Sequence, residues 1–311
     1  MFDEKISNLI KLFEDGIVTE KEMFDVVKDI SRNIPVSDDP LFNEDLYFEL
    51  IYRDGILGYS VYQGYCGAES EIYIPEYYRG LPVICVPEEA FLECKNLIEV
   101  FLPDTLIYIE RFAFSQCHNL ERIILPNSVK CIGCGAFEGC VRLETIVLSN
   151  NLEYIDEDVI NGCDSLKSIT IPSSLKKVPT LLCAGCENLV TAFVKNGVKE
   201  VGYGSFERCY SLWKVELPTS LEKIEKNAFS QCESLRKIIF EGNYEEWLQI
   251  EKDNDWNRDT PSFELKCLDR TITIAEGANY MYTEEWLNDR LRCNPHELIR
   301  KEIFKKYIEN N

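Results

Sequence analysis

The sequence predicts an α/β solenoid, a stack of short coils each made of two strands and a turn, and three observations carry that expectation. A cysteine recurs every 23 residues at Cys94, Cys117, Cys140, Cys163, Cys186, Cys209 and Cys232. A leucine follows each by three positions: Leu97, Leu120, Leu143, Leu166, Leu189, Leu212 and Leu235. Between leucine and the next cysteine the apolar residues alternate, as strands do. A fixed period of this size, held over seven beats, means that each unit buries its apolar face against its neighbours.

Residues 118–140 show one unit at its clearest. Ile123 and Leu125 alternate around Ile124, and Pro126 ends that strand because it has no N–H to offer a ladder. Asn127-Ser128 turn the chain, and Val129-Lys130-Cys131-Ile132 form a second short strand. Gly133 to Cys140 reads as a tight helical turn with Ala136-Phe137 tucked inward. In stacked coils each strand pairs in parallel with its counterpart at about 4.8 Å per coil.

The run Leu212 to Cys232, Leu-Trp-Lys-Val-Glu-Leu-Pro-Thr-Ser-Leu-Glu-Lys-Ile-Glu-Lys-Asn-Ala-Phe-Ser-Gln-Cys, resembles the BspA-like (Treponema pallidum-type) leucine-rich repeat. The resemblance covers about residues 46–274. It implies a right-handed leucine-rich-repeat solenoid with a β-hairpin N-cap and a C-terminal cap, and it implies binding or adhesion rather than catalysis. Two units depart from the pattern, with Val159-Ile160 and then Leu182-Cys183 in place of Ala-Phe. These smaller side chains are expected to thin the core and alter curvature locally.

The chain has 311 residues, with 33 Lys+Arg against 54 Asp+Glu and a net charge of −21. Such a balance disfavours phosphate backbones and anionic lipid surfaces, so neither nucleic-acid binding nor membrane insertion is expected. Residues 1–94 carry 20 of the acids and only 7 of the bases. That flank serves solubility, or it steers a basic partner. The start, Met-Phe-Asp-Glu-Lys, has no basic segment and no long apolar run, so the expected location is cytoplasmic. Seven of the 14 cysteines lie on the repeat beat and read as small buried residues in a reducing compartment.

In order along the chain, Ile6, Leu9, Ile10 and Phe13 share one helical face within residues 3–15. Thr19 and Glu22 form a capping box for a second helix over 20–31, carrying Met23, Val26, Val27 and Ile30. Residues 1–34 resemble a SHOCT-type helical hairpin, which implies self-association through residues 1–31; packing on the solenoid is the alternative. Residues 35–45 read as a linker, and Asp54-Gly55 joins the two strands of a hairpin at the start of the solenoid, 46–274. Asn243 and Glu246 start a short helix bearing Trp247, which with Trp256 resembles the C-terminal cap. Residues 275–311 read as a helical tail, with Trp286 in one helix and Asn294-Pro295-His296-Glu297 opening another.

No catalytic arrangement is expected. The two histidines, His118 and His296, are far apart, and no phosphate loop or nucleophile motif occurs. No cofactor is expected, and Asp156-Glu157-Asp158 reads as a solvated coil edge. Cys183 and Cys186 fall on core positions. Cys131 and Cys134 fall where other units carry Tyr108, Tyr154, Lys177 and Arg111, Glu157, Thr180, positions expected to be exposed. They form a candidate reactive or zinc-binding thiol pair, though zinc normally takes four ligands.

The strand position between the two inward aliphatics reads Tyr73, Phe101, Ile124, Val147, Thr170, Phe193, Glu216, Ile239, with Trp213 near its end. A solvated sheet face should be polar there. These nine residues are the candidate binding surface; the alternative is that a terminal helix covers them. The leading functional expectation is a non-enzymatic protein-interaction scaffold. An adhesin or surface-associated binder, and a thiol or zinc protein using Cys131 and Cys134, are the alternatives.

Overall fold

The protein is described here from a computed structural model, which describes residues 2–32, 34, 36, 45–63 and 69–274. Most of the expected linker 35–45 and the whole expected tail 275–311, including Trp286 and His296, lie outside the described residues.

Each coil contributes one strand to a first face and one to a second. The first face runs Glu71–Tyr73, Glu99–Phe101, Arg122–Ile124 and Thr145–Val147, then Ser168–Ile171, Thr191–Val194, Lys214–Leu217, Lys237–Phe240 and Phe263–Lys266. These pair in parallel with their counterparts, Ile124 beside Val147, Thr170 beside Phe193 and Glu216 beside Ile239. The second face pairs the short strands Tyr108–Ile109, Cys131–Ile132 and Tyr154–Ile155, and likewise Lys177–Val178, Glu200–Val201 and Lys223–Ile224.

The segment expected to be a helical turn is instead a run of three overlapping tight turns, closed by the Ala136, Glu138 and Cys140 amides. Cys140 N–H donates to Phe137 O and Ala136 N–H to Gly133 O, both at 3.3 Å, within the coil. The intervening amides point along the stack: Phe137 N–H reaches Val159 O at 2.8 Å and Gly139 N–H reaches Asn161 O at 2.8 Å. A helix would spend all these donors internally; the solenoid uses every second one to tie a coil to the next. This alternation needs left-handed residues, with Gly135 at φ +60 and Gly139 at φ +68 in one coil and Phe112 at φ +54 and Gln116 at φ +59 in the one before.

The beat cysteines do more than fill space. Six of the seven thiols donate to the carbonyl 26 residues earlier: Cys117 to Phe91, Cys140 to Phe114, Cys163 to Phe137, Cys186 to Ile160, Cys209 to Cys183 and Cys232 to Phe206, at 3.1–3.3 Å, whereas Cys94 donates to Gln63 Oε1 of the hairpin. The side chain reaches back one coil to a carbonyl that faces the apolar interior. The described cysteines are free thiols. Burial pushes the Cys140 thiol up to about 12, and Cys163 lies far above its ordinary value for the same reason.

Phenylalanines stack beside this column. Phe91, Phe114 and Phe137 lie ring on ring at 5.0 and 5.5 Å, and Phe206 and Phe229 at 5.4 Å. Between the two stacks stand Ile160 and Cys183, both buried. Both sheets divide at this place: Thr145–Val147 ends one first-face sheet and Ser168–Ile171 begins the next, while Tyr154–Ile155 and Lys177–Val178 part the second face. The turn bonds run on across the gap, with Ile160 N–H donating to Leu182 O at 3.1 Å. The two sheet ladders part at the step where both coils lack the phenylalanine, while the turn column holds.

Both ends are closed. Strands β1 (Leu46–Arg53) and β2 (Ile56–Gln63) form an antiparallel hairpin around Asp54 and Gly55, both at positive φ, and β2 pairs in parallel with Leu81–Val86. Arg53 stacks over the Tyr108 ring at 3.9 Å while the Tyr108 hydroxyl donates to Asp54, which clamps the hairpin to the first coils. Helices α1 (Phe2–Glu14) and α2 (Glu20–Ser31) pack beside the hairpin, with Phe13 edge-on to Tyr52 at 5.1 Å. The Thr19–Glu22 capping box forms as expected, whereas Val26, placed on the apolar face by its spacing, is exposed. At the other end α3 (Tyr244–Gln249), capped by Asn243 and Glu246, sets Trp247 against Phe240 and Trp256. Thr271–Ile274 folds back antiparallel on the last first-face strand.

Cys163→Ala removes a buried donor from the Phe137 carbonyl and leaves a small void. It should cost about 1–3 kcal/mol in denaturant unfolding, whereas reductant should leave the wild-type midpoint where it is. A midpoint that drops in reductant would show that disulfides, not thiol hydrogen bonds, tie the coils.

Candidate functional site

The first face carries the candidate site. Along its strands buried and outward residues alternate, so Val100, Ile123 and Ile146 are buried while Phe101, Ile124 and Val147 face out. Ile124 is 55% exposed, Val147 46% and Phe101 38%. Thr170 is exposed, and Tyr73, Phe193, Glu216 and Ile239 are half-buried. Parallel pairing sets Tyr73 beside Phe101, Ile124 beside Val147, and Thr170, Phe193, Glu216 and Ile239 side by side, with the break between the two sheets falling between Val147 and Thr170.

Tyr73 and Phe101 open the row with parallel rings 4.2 Å apart, an arrangement that fixes both side chains before anything docks on them. Further along, the Lys214 ammonium lies 5.1 Å from the Phe193 ring centre and 3.0 Å from Glu216, which accounts for the partial cover of Phe193. The row is therefore apolar through four coils, polar at Thr170, and mixed from Phe193 to Ile239.

Beside the first row runs the slot one position after each beat leucine, which reads Ile98, Glu121, Glu144, Lys167, Val190, Trp213 and Arg236. Trp213 belongs to it rather than to the end of the first row. Ile98, Val190 and Trp213 each follow a beat leucine by one position, and they are 40%, 40% and 47% exposed. Only Val190 and Trp213 are apolar on adjacent beats, and the slot lies just before the strand, so alternation within the strand does not point to it.

Cys131 and Cys134 occupy half-buried positions, not exposed ones, and Tyr108 in the equivalent slot is buried. Cys131 packs with Cys85, Tyr108 and Ile107 on the second face. Cys134 lies round the corner with Glu157 and Asp158, their ligand atoms within 4.8 Å of one another. The two thiols thus keep different company, and the carboxylates join the cysteine edge instead of standing as an isolated solvated run. Burial raises the Cys134 thiol, and Asp156, Asp158 and Glu157 raise it further. Burial raises Cys131 as well. Nucleophilic thiols need the opposite environment. His118 is half-buried against Gln116, 3.0 Å away.

Comparison with known proteins agrees with this architecture. Residues 62–190 and 161–250 match the model of the BspA-type leucine-rich repeat region, in six copies. A leucine-rich-repeat protein from Treponema pallidum is 30% identical, covering 64% of this chain and 91% of that one, with a TM-score of 0.55. A leucine-rich-repeat protein from Bacteroides ovatus is 19% identical over 75% of this chain and 72% of its own, with a TM-score of 0.52, and shares the fold. No curated protein matches.

The thiol geometry sets a test. Alkylation of Cys134 should be slow at pH 7 and should accelerate only above pH 9, because its acidic neighbours and burial both disfavour the thiolate. Asp158→Asn should move that profile to lower pH. Fast labelling at pH 7 in the wild type would reverse the reading of this corner.

Proposed function

Because the chain belongs to the BspA-type leucine-rich-repeat family, we propose that it is a non-enzymatic protein-interaction scaffold that binds through its first sheet face. The observation that supports this most is the exposed row Phe101, Ile124 and Val147 on one four-stranded parallel sheet, with Trp213 exposed in a neighbouring slot of the same face. Solenoids present such a face as a broad, rigid surface whose side chains vary without disturbing the core. Exposed apolar patches on a folded chain mark interaction sites, and aromatic side chains at their centres dominate binding energy.

No helix among the described residues is long and apolar enough to cross a membrane. The column of buried free thiols fits a reducing compartment, which supports a cytoplasmic location. Residues 1–34, as a helical hairpin beside the solenoid of 46–274, complete the proposed organisation.

Phe101→Ser combined with Phe193→Ser tests the reading. Both side chains point away from the core, so the thermal midpoint should move by no more than a degree or two, while capture of the chain's partner by cross-linking should be lost. Marked destabilisation would mean that the row is packed against the chain's own segments. Undiminished capture would place the interface elsewhere.

A further inference from the structure

Between the unit 141–163 and the unit 164–186 the stack is tied along one edge only. At the steps on either side, the amide that follows the beat leucine donates one coil back, Glu144 to Glu121 O and Val190 to Lys167 O, both at 2.9 Å. Among the described residues no such bond joins Lys167 to Glu144, and the first-face ladder stops there. On the second face the amides of Glu110, Gly133, Asp156, Gly202 and Glu225 each donate to the carbonyl 24 residues earlier, at 2.8–3.0 Å. Pro179 fills this slot at the step, and it has no N–H to give to Ile155 O. Ion pairs turn away from the step as well: Glu153 pairs with Lys130 on one side, and Lys177 pairs with Glu200 and Glu225 on the other. The bonds that do cross lie at the turns. Asp158 N–H reaches Thr180 O at 3.3 Å, Ile160 N–H reaches Leu182 O at 3.1 Å and Gly162 N–H reaches Ala184 O at 2.8 Å. Asn188 N–H to Asp164 O at 3.2 Å and the Cys186 thiol to Ile160 O at 3.1 Å complete this edge.

We propose that this step is a hinge, at which residues 46–163 and 164–274 rock as two blocks about the turn column. Each block keeps two sheets of its own, one on each face, and the strands inside a block pair without a break. Bending within a block would therefore stretch ladder bonds on one face, whereas opening at the step breaks no ladder bond on either. The step resists only through its turn bonds and through apolar contact between the two coils. That contact lacks the stacked rings of its neighbours, since Ile160 and Cys183 stand in the phenylalanine slot. In a stack whose units touch only their neighbours, the weakest junction is where collective motion concentrates. The outward row is cut at the same place, with Val147 in one block and Thr170 in the other, so rocking changes the spacing between the patch at Phe101, Ile124 and Val147 and the patch at Val190 and Trp213. The inference concerns the fold itself and stands whether or not the first face is the binding surface.

Relaxation dispersion on isoleucine δ1 methyls of the full-length chain tests the hinge, because collective motions of this kind fall in the microsecond-to-millisecond range. Ile146, Ile155, Ile169 and Ile171 are buried beside the step and should show dispersion. Ile109, Ile132, Ile224 and Ile238 are buried inside the blocks and should give flat profiles. Two repairs should quench the effect. Pro179→Ala returns the missing donor, and Val159→Ala, Ile160→Phe, Leu182→Ala and Cys183→Phe together write the Ala-Phe pair of the other units into both coils. Each repair should cut the exchange contribution at the methyls beside the step at least twofold with an unchanged circular dichroism spectrum, and Pro179→Ala carries the test alone if the fourfold variant does not fold. Flat profiles beside the step in the wild type would overturn the proposal. Dispersion of equal size throughout both blocks would also overturn it, because the whole solenoid would then breathe. So would dispersion that Pro179→Ala leaves unchanged, because the hinge is defined by the bonds this step lacks.

Discussion

A coil of 23 residues cannot satisfy its own backbone. Its strands are two to four residues long and its turns spend every second amide outside the coil, so almost every donor and acceptor on three sides must find a partner one coil away. The constancy of the spacing follows: an inserted residue would put out of register the first-face pairs, the second-face pairs and the bonds from Phe137 N–H to Val159 O and from Gly139 N–H to Asn161 O together. The same constraint makes caps obligatory, because a terminal coil would expose both a sheet edge and a slice of core. Here the β1–β2 hairpin and the α3–Trp256 layer fulfil that role.

The cysteines belong to this economy. Small thiols at Cys117 through Cys232 fit where a larger side chain would push coils apart, and each returns a donor to a carbonyl of the preceding coil. Where the neighbouring phenylalanine gives way to Ile160 and Cys183, the sheets part on both faces, while the turn bonds and the Cys186 thiol bond to Ile160 O still cross the step. A single missing ring is tolerated, since the strands pair across the Phe137–Ile160 and Cys183–Phe206 steps; the ladders part only where two consecutive coils both lack the phenylalanine.

Much of this was legible from residues alone. The beat of Cys94 to Cys232, the Asp54-Gly55 turn and the two capping boxes at Thr19 and Asn243 are local patterns with a single physical reading, and each appears where its residues place it. The outward row was legible too, since alternation about Ile123 and Leu125 decides which way Ile124 points. What escaped was set by neighbours a coil away. Amides of the Gly133–Cys140 turn look helical in sequence and are drawn off by the next coil. Cys131 and Cys134 are close along the chain, yet they face different sides of a corner. The thiol hydrogen bonds span 26 residues, a distance at which no local pattern speaks.

The central claim is that the first face is open and available for docking. Hydroxyl-radical footprinting of the full-length chain over a dilution series measures that directly. In dilute solution Phe101 and Trp213 should be modified rapidly while Phe114 and Phe137 stay protected. Protection of Phe101 and Trp213 at every dilution would contradict the account, because it would mean that the chain covers its own face.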